Sequence, residues 1–447
     1  MTVINSADLP IPFSKPEDIF GPNGPMASGD GRPDPSGPYA LSSPLPAGAA
    51  LVRDFAVLGA DPPPVLGSNG PDDYVGDETA DNYRGRAGDD AIHGNGGDDL
   101  LSGGTGNDLM DGGTGNDELR GGDDDDTVSG GDGEDRVEGG DGDDVLSGDA
   151  GSDLVIGGDG NDSLVGGLGF DLLLGGSGDD HLSGGDDEDV LRGGDGLDVL
   201  LGEGADDRLF GDDGDDRLDG GQGGDTLGGG EGEDTLVGGS GRDLLLGQAG
   251  DDLLQGGAQG DRLQGDDGRD QLFGGAGSDR LFGGDGRDVL GAGLGSDRIF
   301  ADGGSDLVHG GQGNDEIAGL SGRDTLHGGN GRDTILGGGG DDRLFGGAGR
   351  DRLSGDAGSD HLVGGANADR FDFRSGQDEI MDFQDDTDRI VLARHLLPDP
   401  VRDWDDLAAF AHVEGQDIVF DLGQGNILTI RDFTDIGALA DDVALLA

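Results

Sequence analysis

The sequence predicts an all-β protein wound as a parallel solenoid and closed at its C-terminal end by a small mixed cap. Three observations predict it. A unit of nine residues repeats without insertion or deletion from Gly67 to Asp372. The unit opens with six glycine-rich turn positions and ends in three strand positions with one apolar side chain. After residue 372 the repeat stops and aromatic residues return.

Composition narrows the function. The 447 residues include 97 acidic and 27 basic side chains, a formal charge of −70, with 102 glycines and 32% hydrophobic residues. Such a chain cannot bury enough to fold unless a cation belongs to the folded state. Acidic surfaces repel phosphate backbones, which argues against nucleic acid as a partner. Lys15 is the single lysine, so phosphate-loop chemistry, Schiff bases and a polybasic membrane patch fall away. Without cysteine there is no disulfide framework and no thiolate metal site. The first 30 residues carry no ordinary signal peptide and no apolar run is long enough for a bilayer, so membrane insertion is not expected.

Residues 1–66 hold 13 of the 16 prolines and read as an extended, mostly disordered arm. Its apolar patch, Leu51, Val52, Phe55, Val57 and Leu58, is expected to cover the open end of the next domain. A partner-binding peptide is the other reading of that patch.

Residues 67–372 make 34 units in one register, typified by Gly157-Gly158-Asp159-Gly160-Asn161-Asp162-Ser163-Leu164-Val165. A strand that buries one side chain cannot stand alone, but stacked strands build a thin continuous core. Two units make one coil, giving about 17 coils and a rod on the order of 80 Å long.

The sixth position is Asp in every unit. The candidate metal ligands are Asp90, Asp99, Asp108, Asp117, Asp126, Asp135, Asp144, Asp153, Asp162, Asp171, Asp180, Asp189, Asp198, Asp207, Asp216 and Asp225. They continue as Asp234, Asp243, Asp252, Asp261, Asp270, Asp279, Asp288, Asp297, Asp306, Asp315, Asp324, Asp333, Asp342, Asp351, Asp360 and Asp369. As a plain turn residue Asp would exchange freely with Asn, which makes the same turn without adding charge. Stacked carboxylates also repel one another unless a cation lies between them. Calcium fits, because it takes six to eight oxygens, mixes carbonyls with carboxylates and tolerates irregular geometry; magnesium keeps its waters and wants strict octahedra.

In these residues the chain resembles the RTX family, secreted proteins with glycine-rich calcium-binding nonapeptides. The resemblance implies a parallel β-roll in which each calcium sits between turns on one edge, one coil apart, bridged by the sixth-position Asp. Asp90 would then share an ion with the turn of Asp108, and Asp99 with that of Asp117, on the order of 30 ions in all. Asp124, Asp187, Ala205, Gln259 and Asn367 at the fourth position, and Ala292 and Ala301 in place of the opening glycine, mark turns expected to be weaker or empty. Units 67–84 are degenerate and are assigned no metal.

Residues 373–447 read as the cap, with helical spacing over Trp404–Ala411, a hairpin from Asp417 to Ile430 and Trp404 in the core. The stretches Asp378–Phe383, Asp388–Leu392 and Gln416–Phe433 are similar to the C-terminal region of RTX exoproteins, including serralysin-like proteases. The closing Asp441–Ala447 resembles an uncleaved signal read by type I secretion machinery, which implies that machinery as a partner and a secreted, extracellular or surface-bound protein.

No catalytic motif appears. None of the seven histidines begins an HExxH, and no GxSxG elbow stands outside the repeat. Five histidines fall on seventh or ninth positions, which point at solvent. On one sheet the outward ninth position reads apolar at Leu174, Phe210, Leu246, Phe282 and Leu336, a candidate face for self-association or a cell-surface partner. Side chains folded over strand edges are the alternative. The expected function is a secreted calcium-binding protein that folds on calcium outside the cell, as a non-catalytic surface or matrix scaffold or adhesive element. An accessory subunit of an extracellular hydrolase or epimerase is the second reading.

Overall fold

The computed structural model describes residues 63–397, 401 and 404–446. Most of the proline-rich arm, with its apolar patch, lies outside the described residues.

The chain winds as a parallel β-solenoid of about 18 turns with 61% strand. Each coil gives one strand to each of two sheets, and within the repeats each strand pairs with those 18 residues away. Leu227 sits between Leu209 and Leu245 on one sheet. Leu236 sits between Leu218 and Leu254 on the other. The turn count exceeds 17 because pairing begins before the first unit and ends after the last. Val65 pairs with Tyr83 ahead of it, and Ile380 pairs with Leu362 behind it.

The strands are longer than the three residues the repeat suggests. Thr226–Glu231 is typical: its last three residues are the opening Gly-Gly-x of the following unit. The strand can run through the second position because that residue adopts a left-handed conformation, which redirects the chain without breaking the ladder.

One eighth-position side chain per unit points inward. From Ile92 and Leu101 to Leu353 and Leu362 these residues are buried and join into one core. Such a core is a single side chain thick per strand, so most of the coil's remaining polar backbone is satisfied by the parallel ladders. The first coil is closed by Tyr74 stacked on Tyr83, with ring centroids 4.1 Å apart.

The C-terminal sheet is mixed, as the sequence suggests. Asp417–Gly423 and Asn426–Ile430 form the antiparallel hairpin. Asn426–Ile430 pairs in parallel with Gln377–Ile380, which joins the hairpin to the solenoid. The expected helix is shorter than its spacing: Trp404–Leu407 is α-helical, Ala408–Phe410 is 3-10, and Ala411 already begins a strand. Trp404 packs half-buried against the core with its ring edge-on to Phe420. Val443–Leu446 adds a parallel strand beside Arg389–Ala393.

The ninth-position column runs in register from Leu174 through Arg192, Phe210 and Gly228 to Leu246, so its apolar side chains are interrupted by Arg192 and Gly228. Leu174, Phe210, Phe282 and Leu336 are half-buried, and Leu246 is buried at 9% exposed. They lie along the sheet: Phe210 leans over Gly228, Phe282 stacks on Phe300 at 5.3 Å, and Arg262 covers Phe282 at 4.7 Å. On the opposite sheet His309, His327 and Phe345 stack at 4.7 and 4.6 Å. Burial and His309 together lower the His327 pKa, which favours a neutral stack.

Candidate metal centre

The sixth-position aspartates stack in two columns, one along each edge of the solenoid. In both columns the backbone N–H of one Asp donates to Oδ1 of the Asp 18 residues later. Asp90 donates to Asp108 at 2.8 Å, Asp99 to Asp117 at 2.7 Å and Asp225 to Asp243 at 2.9 Å. Each of the 32 aspartates from Asp90 to Asp369 proposed from the sequence is buried, and in each Oδ2 has no hydrogen-bond partner. A buried carboxylate oxygen left alone is costly. Here that cost recurs in every turn.

A second oxygen faces the same place. A methyl group built on Gly310 would meet the carbonyl oxygen of Gly328 at 2.6 Å and Oδ2 of Asp315 at 2.7 Å. On Gly337 it would meet Asp342 Oδ2 at 2.5 Å and the Gly355 carbonyl at 2.7 Å. The opening glycine is therefore needed because carboxylate and carbonyl oxygens converge where its side chain would be. Carboxylate plus carbonyl, all oxygen, is the donor set of a hard divalent cation and suits calcium.

Burial pushes these carboxyls up, and each neighbour's N–H bond pulls them part of the way back. Asp117, Asp135, Asp153 and Asp171 rise to about 7, with the carboxylate one coil on adding to the rise. The folded chain thus favours either protons or a cation on these oxygens.

The first two units differ, in line with their degenerate sequence. Asp72 and Asp81 keep the register, but Oδ2 of each accepts an N–H from its own turn, Ser68 at 2.5 Å and Asp77 at 2.9 Å. From unit 85–93 to unit 364–372 the second residue is left-handed, including at Arg86, Asn95, Glu203, Gln248 and Leu320, whereas Ser68 and Asp77 are not. Turned to the left-handed region, that N–H no longer meets the carboxylate; Arg86 donates instead to the Gly103 carbonyl at 2.8 Å.

Of the fourth-position departures, Asp124, Ala205, Gln259 and Asn367 hold the left-handed φ that glycine holds elsewhere and Asp187 does not, and the aspartates of all five turns keep the partnerless Oδ2. Ala292 and Ala301 are fully buried and put a methyl where the oxygens converge, on both edges of one coil.

Two residues outside the proposed set join the columns. Asp369 donates its N–H to Asp388 Oδ1 at 2.9 Å. Asp378 is buried with Oδ1 partnerless and is pushed up to about 10 by burial and by Asp360. Both sit in an Asp-x-apolar triplet, Asp378-Glu379-Ile380 and Asp388-Arg389-Ile390, the mark by which the sequence carries them. A separate acidic trio, Asp385, Asp386 and Asp442, lies in the C-terminal region, where Asp386 N–H donates to Asp442 at 3.1 Å.

Fold and columns together define a calcium-binding β-solenoid. The model of the RTX calcium-binding nonapeptide repeat (four copies) matches overlapping segments over residues 75–290 and 292–380. The chain belongs to this family. No curated protein matches it. Among solved structures, the extracellular lipase LipA from Serratia marcescens is similar at 15% identity and a TM-score of 0.18. The match covers 62% of this chain and 40% of that lipase.

Proposed function

We propose that the protein is exported unfolded by type I secretion machinery, meets calcium outside the cell and folds on it, then serves as a non-catalytic surface or matrix scaffold or adhesive element. The observation that carries this is the partnerless, buried Oδ2 repeated from Asp90 to Asp369. In a cytosol poor in calcium, the repulsion among these carboxylates keeps the chain extended. Outside, metal binding and folding become one equilibrium. Each ion would lie between the Oδ2 of one Asp and the turn 18 residues later, on the order of 30 ions in all. The carboxylates and opening carbonyls hold the ion, and the ion supplies the positive charge that lets two acidic edges close. Among the described residues no helix is long and apolar enough to cross a membrane. The column of half-buried Leu174, Phe210, Phe282 and Leu336 with buried Leu246 is the face offered for self-association or a surface partner.

Circular dichroism of the full chain tests the reading. A coil-like spectrum is expected in chelator at neutral pH and a β spectrum at millimolar calcium. A β spectrum that persists in chelator at neutral pH overturns it. Localisation to the cell surface or the medium, rather than the cytosol, tests the export.

A further inference from the structure

We infer that one edge of the calcium-loaded solenoid is self-complementary in charge, and that a second copy of this chain docks on it antiparallel. This rests on the calcium reading above and supplies a partner for the folded chain.

The column from Asp81 to Asp369 runs along this edge, and its middle member is Asp225. The turn that carries Asp225 has Gly223 and Gly224 at its tip, and eight turns lie on each side of it. Before it the turns carry further acids and no arginine, with Asp98, Glu134, Glu188 and Asp206 at fifth-position tips. After it, as far as Asp369, the turns hold no acid besides the sixth-position Asp, and Arg242, Arg332 and Arg350 take tips. All of these tips are exposed. The strands that leave the later turns add Arg262, Arg280 and Arg298, stacked in register. The other edge keeps both signs together. There Arg269 and Arg287 share their turns with Asp267 and Asp285, and Arg323 pairs with Asp341 at 3.3 Å.

An acid or amide at the tip serves the fold itself. Asp98 and Asp206 accept the N–H of the next tip, Asn116 at 3.0 Å and Gly224 at 2.7 Å. Asn314 does the same for Arg332 at 2.9 Å. Arginine has no acceptor to offer the turn that follows. The switch to arginine therefore gives up a bond of the fold, and positive charge is what it gains.

With an ion on each sixth-position Asp, the later half of the edge is cationic, while the earlier half keeps its surplus of acids. A two-fold axis through Gly224 sets the two halves against each other. Asp206 and Arg242 lie one turn either side of Gly224, and Asp98 and Arg350 lie seven turns either side. Asp206 then faces Arg242 of the partner subunit, Asp98 faces Arg350 of the partner subunit, and no tip acid meets another. Two copies share one ladder spacing, about 4.8 Å, so the rows stay matched along the edge; a flexible polyanion offers no such match. Gly223 and Gly224 let the backbones approach at the axis. An edge about 80 Å long and about 10 Å wide, the separation of two packed sheets, gives on the order of 800 Å² a side, the size of a stable interface.

Sedimentation equilibrium of the full chain in millimolar calcium tests the pairing, with dichroism checking the β fold of each variant. The wild type should be a dimer at low ionic strength and dissociate at high salt, because exposed charges are screened. Arg242→Glu with Arg350→Glu should weaken the dimer at least about tenfold, since acid then faces acid. Asp98→Arg with Asp206→Arg should weaken it likewise, and all four changes together should restore it. Arg269→Glu with Arg287→Glu, on the other edge, should leave it unchanged.

A wild type that is monomeric although its calcium transition is normal overturns the pairing alone; if it binds dextran sulfate, the edge belongs to an anionic polymer. A mass that grows past the dimer overturns it, as does a folded quadruple variant that stays monomeric. Should the aspartate variants fail to fold, the arginine reversals decide: a weakened dimer upholds the pairing, and one as tight as wild type overturns it. A wild type without any calcium-dependent β transition refutes the calcium reading itself, and the pairing falls with it.

Discussion

Units 67–84 and the units after them share the register, the inward eighth residue and the sixth-position Asp, and they differ in the partner of one oxygen. In the opening units a main-chain N–H from the same turn satisfies Oδ2 of Asp72 and Asp81. From Asp90 on, that oxygen is buried and unpartnered. Spacing alone therefore does not make a ligand. What does is the conformation of the second residue, which either presents its N–H to the carboxylate or turns it into the ladder. The opening units are a turn that stands without metal, and the others are a turn that leaves its charge unmet.

The largest effect expected from this difference is on pH dependence without metal. An isolated carboxyl titrates near 3.8, while Asp117, Asp135, Asp153 and Asp171 in the fold titrate near 7. The folded chain then binds more protons than the unfolded one between those values. Stability of the metal-free fold is therefore highest below about pH 4 and is lost as pH rises through about 7. In chelator, β dichroism should be stronger at pH 4.5 than at pH 7.5. With calcium present the order reverses, since protons displace the ion. A metal-free fold that gains stability on going from pH 4.5 to 7.5 would contradict the burial of unmet carboxylates.

A smaller and more local effect separates the two kinds of turn directly. Asp225→Asn replaces an unmet oxygen with an NH2 that faces the cation. It should remove one ion and cost about 1–3 kcal/mol at fixed calcium, the range for a buried polar group left without its partner. Asp81→Asn removes a charge whose oxygen is already satisfied, and the ion count should not change. Urea unfolding at constant calcium with native mass spectrometry measures both. Equal losses at the two positions would erase the distinction.

How much of this the sequence carries depends on the residue. The nine-residue register, the inward column from Ile92 to Leu362 and the alternation between sheets follow from periodicity alone, because a period-two strand inside a fixed repeat leaves no other placement. All the proposed aspartates lie in the two columns. Periodicity is silent on hydrogen-bond direction, so the closed oxygens of Asp72 and Asp81 became visible only with φ at Ser68 and Asp77. It also hid Asp378, since Phe373 and Arg374 erase the glycines that announce a unit while Asp378 and Ile380 keep its geometry. The helix over Trp404–Ala411 is cut short for a tertiary reason: Ala411–Glu414 is recruited as an edge strand of the hairpin.

The second position also sets the smallest expected effect, and it probes the mechanism most closely. Leu320 holds φ 70°, the left-handed conformation that glycine holds at Gly311 and Gly329. A leucine there has its Cβ crowded against the following carbonyl, at a cost of about 1 kcal/mol relative to glycine. Leu320→Gly should therefore stabilise the calcium-loaded fold by up to that amount, offset in part by the greater freedom of glycine in the unfolded chain. Ser68→Gly has no such strain to release, since Ser68 is not left-handed. Its expected result is destabilisation, because added freedom loosens the turn that closes Asp72. Opposite signs for the same kind of substitution, read as urea midpoints at one calcium concentration, are what a conformational gate at this position requires; the same sign in both would leave the difference between the two kinds of turn to the side chains alone.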